Sequence, residues 1–151
     1  MLTMCFTQPH DVVFRDQRYF CEPYPNRWII RNEQRAIVAH IGVHEKAVEA
    51  NGERFPIGGI AEVCVHPDYR GRGYVRTMLR CIHAWLAERG FVFSVLFGRP
   101  CLYESSGYVQ VENLFHGGFP LGERTQVNAM VKELSGKLWP SSEVHLPGPK
   151  F

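Results

Sequence analysis

Between Ile60 and Arg80 the chain sets Arg70, Gly71, Arg72 and Gly73 where an apolar, β-rich run, closed by Pro67, passes into a helix-like segment. Residues of these types at this spacing can hold an anion. Two glycines let the backbone turn tightly with its N–H groups inward, and the first turn of the following helix has N–H groups without intrahelical partners and the positive end of the dipole. Arg70, Arg72 and Arg76 surround the turn, so a phosphorylated guest is expected. Two other phosphate loops are excluded. A P-loop requires Gly-Lys-Ser/Thr after its first glycine and four further residues, which the chain lacks. The dinucleotide fingerprint fails because Arg76 stands at its third glycine position.

The turn resembles motif A of the GNAT superfamily of acyl-CoA-dependent N-acyltransferases, Gln/Arg-x-x-Gly-x-Gly/Ala, written here Arg70-Gly71-Arg72-Gly73-Tyr74-Val75. Val75 replaces the usual small residue. The run from Ala61 to Arg70 is similar to the family's fourth strand and the loop after it. The resemblance implies acetyl-CoA as cosubstrate, with the main chain of Val63 and Val65 beside the pantetheine arm. It implies a pyrophosphate on the backbone N–H groups of Arg70, Gly71, Arg72, Gly73, Tyr74 and Val75, with Arg72 and Arg76 as the side chains that neutralise it. Arg70 either joins them or shapes the loop.

Farther along, Tyr103-Glu104-Ser105-Ser106-Gly107-Tyr108 resembles the second signature of the same family, Tyr-x-x-x-Gly-Phe/Tyr. Tyr103 thereby takes the position of the acid that protonates the departing thiolate, for which a phenol with a pKa near 10 is suited. The alternative is a core tyrosine on a short helix. An ammonium acceptor must also lose a proton, and Glu62, on the strand beside the reacting centre, is the favoured base, with His40, His44 or a chain of water as alternatives. His40 and His44 share one strand face by their spacing, but with no third ligand in sight they line a cleft or meet solvent, and no metal is expected. Cys64, in an apolar strand without an adjacent base, reads as packing.

These residues need a scaffold, and the hydrophobic pattern supplies one. Trp28–Arg31 and Ala36–Val43 read as a hairpin about a polar turn at 32–35, and Asn51-Gly52 returns the chain from a second turn into a long strand ending at Val65. From Gly73 to Arg89 apolar residues recur at helical spacing and Gly90 ends the run; Phe91–Phe97 is a buried strand, which implies a parallel crossover. Cys101–Ser106 is a short helix closed by Gly107, Tyr108–Phe115 an edge-type strand, and Gln126–Glu133 its partner. Residues 1–25 have room for a short strand near Met4 and one abbreviated helix, since Pro23 and Pro25 oppose a longer one. The abbreviated start predicts an open acceptor cleft, or one completed by a partner subunit. The tail from Trp139 to Phe151, rich in proline, reads as irregular chain that folds over the cleft and brings the terminal carboxylate near an amine. The expected fold is α/β (α+β), the GNAT fold, with a mixed central sheet of six to seven strands, flanking helices and an abbreviated N-terminal helical region.

At 151 residues, 45% hydrophobic and 21% charged, the chain suits one domain, residues 1–151. A net charge of +2, with basic residues clustered only about Arg70–Arg80, predicts a small polyanion as ligand and no nucleic acid. Cys5, Cys21, Cys64, Cys81 and Cys101 are widely spaced without a Cys-x-x-Cys pair, which predicts free thiols in a reducing cytoplasm. No apolar stretch nears the roughly 20 residues of a bilayer span, so no membrane partner is expected. The strand Tyr108–Phe115 is placed to pair across a two-fold axis in a homodimer.

Together these readings predict a cytoplasmic N-acetyltransferase carrying an acetyl group from acetyl-CoA to a primary amine of a small molecule. Another acyl donor or a sugar acceptor, and a non-catalytic acyl-CoA-binding sensor domain, are the alternatives. Arg27-Trp28, Ala39–Val43 and the tail segments Leu138–Pro140 and Val144–Gly148 loosely resemble the aminoglycoside N-acetyltransferase branch, and Ala39–Val43 also resembles the nodulation acyltransferases. His145 stands where that branch often has aspartate, and acidic clusters suited to a polycation are not conspicuous, so antibiotic modification is the lesser expectation.

Overall fold

The computed structural model of the chain describes residues 1–117 and 122–151. Seven strands form one mixed sheet: β1 (Asn26–Arg31), β2 (Ile37–Ala50), β3 (Glu53–Val65), β4 (Phe93–Leu96), β5 (Val109–Gly117), β6 (Arg124–Glu133) and β7 (Val144–Leu146). Their order is β1-β2-β3-β4-β6-β5-β7, and β7 also meets β2 where Glu49 faces His145, so the far ends of the long strands curl together. β1, β2 and β3 are antiparallel neighbours, and β3 and β4 run parallel from Ile57–Phe93 to Ile60–Leu96. The Asn51-Gly52 turn has positive φ at both residues, 50° and 78°, the geometry that makes this dipeptide a hairpin signal.

The crossover between the parallel strands is helix α2 (Tyr74–Glu88), preceded by a short helix α1 (Leu2–Cys5) at the N-terminus and followed by α3 (Pro100–Tyr103). Helix α2 buries Met78, Leu79, Ile82 and Leu86 against Ala39, Ile41, Val43, Ile60 and Leu96 of the sheet. Each such side chain stabilises the fold by about 1.5–3 kcal/mol relative to exposure. The helix can lie so low because Gly58 has no side chain: a Cβ there would stand 2.3 Å from Leu86 Cδ1. Phe55, Ile57, Phe93, Val95, Leu114, Val144 and Leu146 fill a second apolar cluster, toward the hairpin end.

Three expectations are corrected. The short strand near Met4 is instead helix α1, whose backbone pairs with itself through Cys5 N–H to Met1 O and Phe6 N–H to Leu2 O. The abbreviated helix is present as a 3₁₀ helix, Pro9–Arg15, opened by a proline without an N–H and by the Asp11 carboxylate, which accepts the Gln8 N–H at 2.8 Å. The tail is not wholly irregular, because β7 lies within it, held by parallel pairing to β5. For the same reason β5 is not a free edge, since β7 covers it from Leu114 to His116. Residues 144–146 show the alternation of a strand but are too few to announce one.

Candidate active site

The parallel strands part after Ile60 and Leu96, and the chemistry gathers where they part. In β3 the pairing with β2 jumps from Gly42–Ala61 to His40–Cys64, so Glu62 and Val63 together oppose Ile41 in a bulge, with Glu62 at φ 42°. The bulge is tied down from behind: His40 Nδ1 lies 3.0 Å from the Glu62 carbonyl oxygen, and its Nε2 lies 3.2 Å from Tyr24 Oη. Tyr24 fits between His40 and His44 because residue 42 is glycine; a Cβ at 42 would meet its ring at 2.9 Å. Both imidazoles are held below their ordinary pKa chiefly by burial, and His44 Nδ1 lies 3.6 Å from a Glu22 carboxylate oxygen. The shared face of the two histidines is therefore occupied by Tyr24.

One cleft, of about 420 Å³, runs from this bulge to the mouth of α2. Val63 and Val65, the turn from Arg70 through Arg76, and Tyr103 all line it. Gly71 and Gly73 both have φ of 74°, and among the described residues a Cβ on either would have no atom within 4 Å, so the backbone there is both left-handed and uncrowded. Gly73 is the N-cap of α2, and among the described residues no side chain caps that end and no acidic residue occupies its first turn. A helix start of this kind leaves N–H groups and partial positive charge for an external anion. Arg70 Nε donates to Val65 O at 3.3 Å, tying the turn to β3, while the Arg72 guanidinium stacks over the Tyr69 ring at 4.7 Å and donates to Asp68 O. Arg76 is exposed at the rim, and Val75 packs against the core from the cleft wall.

Tyr103 is carried by α3, and burial raises its pKa, so the phenol holds its proton at neutral pH. Its ring crosses that of Tyr108 edge-on at 6.1 Å. Tyr108 in turn is fully engaged, with its hydroxyl 2.9 Å from His83 Nε2 and 2.7 Å from Ser94 Oγ. Cys64 faces the cleft, but burial first and the nearby Cys5 second push its thiol up to about 12, which leaves it a poor nucleophile.

Glu62 lines a second pocket, of about 360 Å³, that the turn does not line. Its Oε1 accepts the Phe20 N–H at 3.0 Å, and its Oε2 is buried and, among the described residues, has no hydrogen-bond partner. Burial raises this carboxyl from 4.5 to about 7, only partly offset by the Phe20 hydrogen bond. Phe6 lines both pockets, so they adjoin through it. Sequence reasoning named Tyr103, the turn and Glu62, but not Phe20, whose N–H supports the Glu62 carboxylate. The C-terminal Phe151 lines the Glu62 pocket, its ring over Gly59, where a Cβ would approach it to 2.7 Å. A larger hollow of about 470 Å³ lies around the Asn51-Gly52 hairpin and contains none of these residues.

Comparison with known proteins bears on this arrangement. The chain resembles in fold an Escherichia coli GNAT family N-acetyltransferase, YhbS, solved in complex with CoA, at 18% identity and a TM-score of 0.72, over 97% of this chain and 79% of that one. A GNAT family acetyltransferase from Brucella melitensis in complex with acetyl-CoA is similar at 19% identity and a TM-score of 0.55, over 78% and 63%. A GCN5-related N-acetyltransferase from Anabaena variabilis matches at 24% identity and a TM-score of 0.59, over 74% of this chain but 28% of its own length. No curated protein sequence matches the chain. Residues 1–111 match the family model described as acetyltransferase (GNAT) domain, and the chain belongs to that family.

Proposed function

We propose that the protein is an N-acetyltransferase that binds acetyl-CoA in the cleft beside Val63 and Val65 and moves the acetyl group to a primary amine of a small molecule. The observation that carries this reading is the pair of adjoining pockets, one ending at the Tyr103 phenol and the other at the partnerless Glu62 Oε2. Solved relatives bound to CoA and acetyl-CoA support the choice of cosubstrate. The fit of the coenzyme rests on the left-handed, uncrowded glycines and the uncapped start of α2.

In this reading the N–H groups from Arg70 to Val75 hold the diphosphate with Arg72 and Arg76, each hydrogen bond to charge contributing about 1.5–3 kcal/mol. Arg70 shapes the loop through its bond to Val65 O. The unpaired edge of β3 past Ile60 offers its backbone to the pantetheine amides, as a strand would. Glu62 Oε2 takes a proton from the acceptor ammonium. The freed nitrogen attacks the thioester carbonyl carbon, the C–N bond forms and the C–S bond breaks, and Tyr103 gives its phenolic proton to the thiolate. The second proton shed by the nitrogen restores the phenol. The whole sequence of 151 residues acts as one acyltransferase domain.

Purified protein with acetyl-CoA and a panel of primary amines tests the reading through release of free CoA thiol. Turnover with at least one amine, reduced about 100-fold or more in Tyr103→Phe, is the expected result. Coenzyme binding without turnover of any amine would favour a sensor domain, and turnover only with longer acyl-CoA a different donor.

A further inference from the structure

The Glu62 pocket has walls unlike those of a site for a polar polyamine. On one side Phe6 and Phe14 lie with ring centroids 4.9 Å apart and Phe14 and Phe20 6.2 Å apart; on the other, Phe97 and Phe151 lie 5.0 Å apart. Five phenylalanines thus converge on a pocket in which, among the described residues, the one buried side-chain polar atom without a hydrogen-bond partner is Glu62 Oε2. The other carboxylate, Asp11, is spent on the Gln8 N–H, and its second oxygen lies 3.5 Å from His10 Nε2. Lys150 stands at the same pocket with its ammonium 5.9 Å from the Phe97 ring centroid, a like charge set against a second ammonium.

We infer that the acceptor is an arylalkylamine: one primary ammonium at Glu62, on a short arm from a flat aromatic group held among Phe20, Phe97 and Phe151. This inference rests on the amine-acetylating function proposed above and narrows its substrate class. Aromatic rings stack edge-on or offset with a preference beyond the area they bury, and their faces also attract the cation. A pocket of about 360 Å³ suits one such molecule, within the range of about 300–1,000 Å³ usual for small-ligand sites. An aminoglycoside, with several ammonium groups, would find one buried side-chain carboxylate oxygen without a partner among the described residues, and an opposing lysine.

The test compares 2-phenylethylamine and tryptamine with butylamine, putrescine and kanamycin, in thiol-release kinetics and in calorimetric titration of 2-phenylethylamine into the protein with CoA present. The aromatic amines are expected to show kcat/KM at least about tenfold above the others. Phe20→Ala and Phe151→Ala should each lower that preference about threefold or more while the Kd for acetyl-CoA is kept, Phe20 being 41% exposed and Phe151 terminal, so neither substitution hollows the main core. Butylamine, putrescine or kanamycin used as well as the aromatic amines would overturn the inference and leave amine acetylation standing. Calorimetric binding of 2-phenylethylamine, weakened in Phe151→Ala, without turnover of any amine would do the reverse. Absence of both binding and turnover of the aromatic amines would overturn it outright.

Discussion

Tyr103 lies directly on Gly98: a Cβ at residue 98 would come 2.6 Å from Tyr103 Cε2. Gly98 follows β4 at the point where the parallel strands have parted, so the missing side chain is the space the phenol ring uses. Gly98→Ala should shift the ring by a fraction of an ångström to an ångström. Because misplacement on that scale costs up to about 100-fold in rate, kcat should fall about 10- to 100-fold while the Kd for acetyl-CoA, proposed to be set mainly by the turn from Arg70 to Val75, stays within about twofold. Steady-state kinetics beside calorimetry of acetyl-CoA binding separate the two quantities, and an unchanged kcat would detach Tyr103 from the chemistry.

Glu62 predicts a pH signature in both rate and stability. Its carboxyl, raised to about 7, is an effective base only when ionised, so kcat/KM should climb about tenfold per pH unit below 7 and level off between there and the amine's own pKa near 10. Glu62→Gln should remove that limb and lower the plateau about 100-fold or more. For stability the sign is opposite. The unfolded carboxyl loses its proton near 4.5 and the folded one near 7, so across that window the folded protein binds more protons and stability falls as pH rises. Glu62→Gln cannot ionise and should gain about 1–3 kcal/mol on the natural protein at pH 8, and little at pH 4, in denaturant titrations at the two values.

At the turn, the test is Gly73→Ala. Among the described residues no atom lies within 4 Å of the added methyl, so none of them need move, but φ of 74° strains any residue other than glycine by about 1–2 kcal/mol. The methyl also enters the space where the diphosphate is proposed to lie. The Kd for acetyl-CoA should rise about tenfold or more, with the far-ultraviolet spectrum unchanged; an unchanged Kd would remove this turn from the coenzyme site.

Gly58→Ala probes the scaffold instead. The new Cβ would meet Leu86 Cδ1 at 2.3 Å in a region where Leu86 is fully buried, and the overpacking should cost about 1–3 kcal/mol in urea unfolding. In the double variant Gly58→Ala/Leu86→Ala the clash partner is gone, so the loss should be smaller than the sum of the two single losses. Additive losses would show that α2 is not seated by Gly58.

Much of this molecule was readable along the chain because its causes lie within a few residues. Asn51-Gly52 turns the hairpin since both positions accept positive φ; the apolar spacing from Val75 to Leu86 makes one face of a helix; Arg70–Gly73, between strand and helix, forms a cradle whatever surrounds it. Tyr103 and the turn reach one cleft because a strand, a helix and a parallel strand bring the two loops together at the same end of the sheet. Other features depend on residues far apart in the chain, and no local pattern contains them. Residue 62 became a bulge with a buried carboxyl, one oxygen of which has no hydrogen-bond partner among the described residues, only when Ile41 of one strand met two residues of another and Phe20 closed over it. Residues 2–5 became helix because their backbone is satisfied locally while Cys5 Sγ reaches the Val65 carbonyl from outside the sheet. The tail found a strand at 144–146 and a seat for Phe151 on Gly59 because β5 offered an unpaired edge and β3 a glycine. Spacing and composition determine which groups exist and which local turns they make; packing between distant segments decides which of them lose water, and so which become reactive.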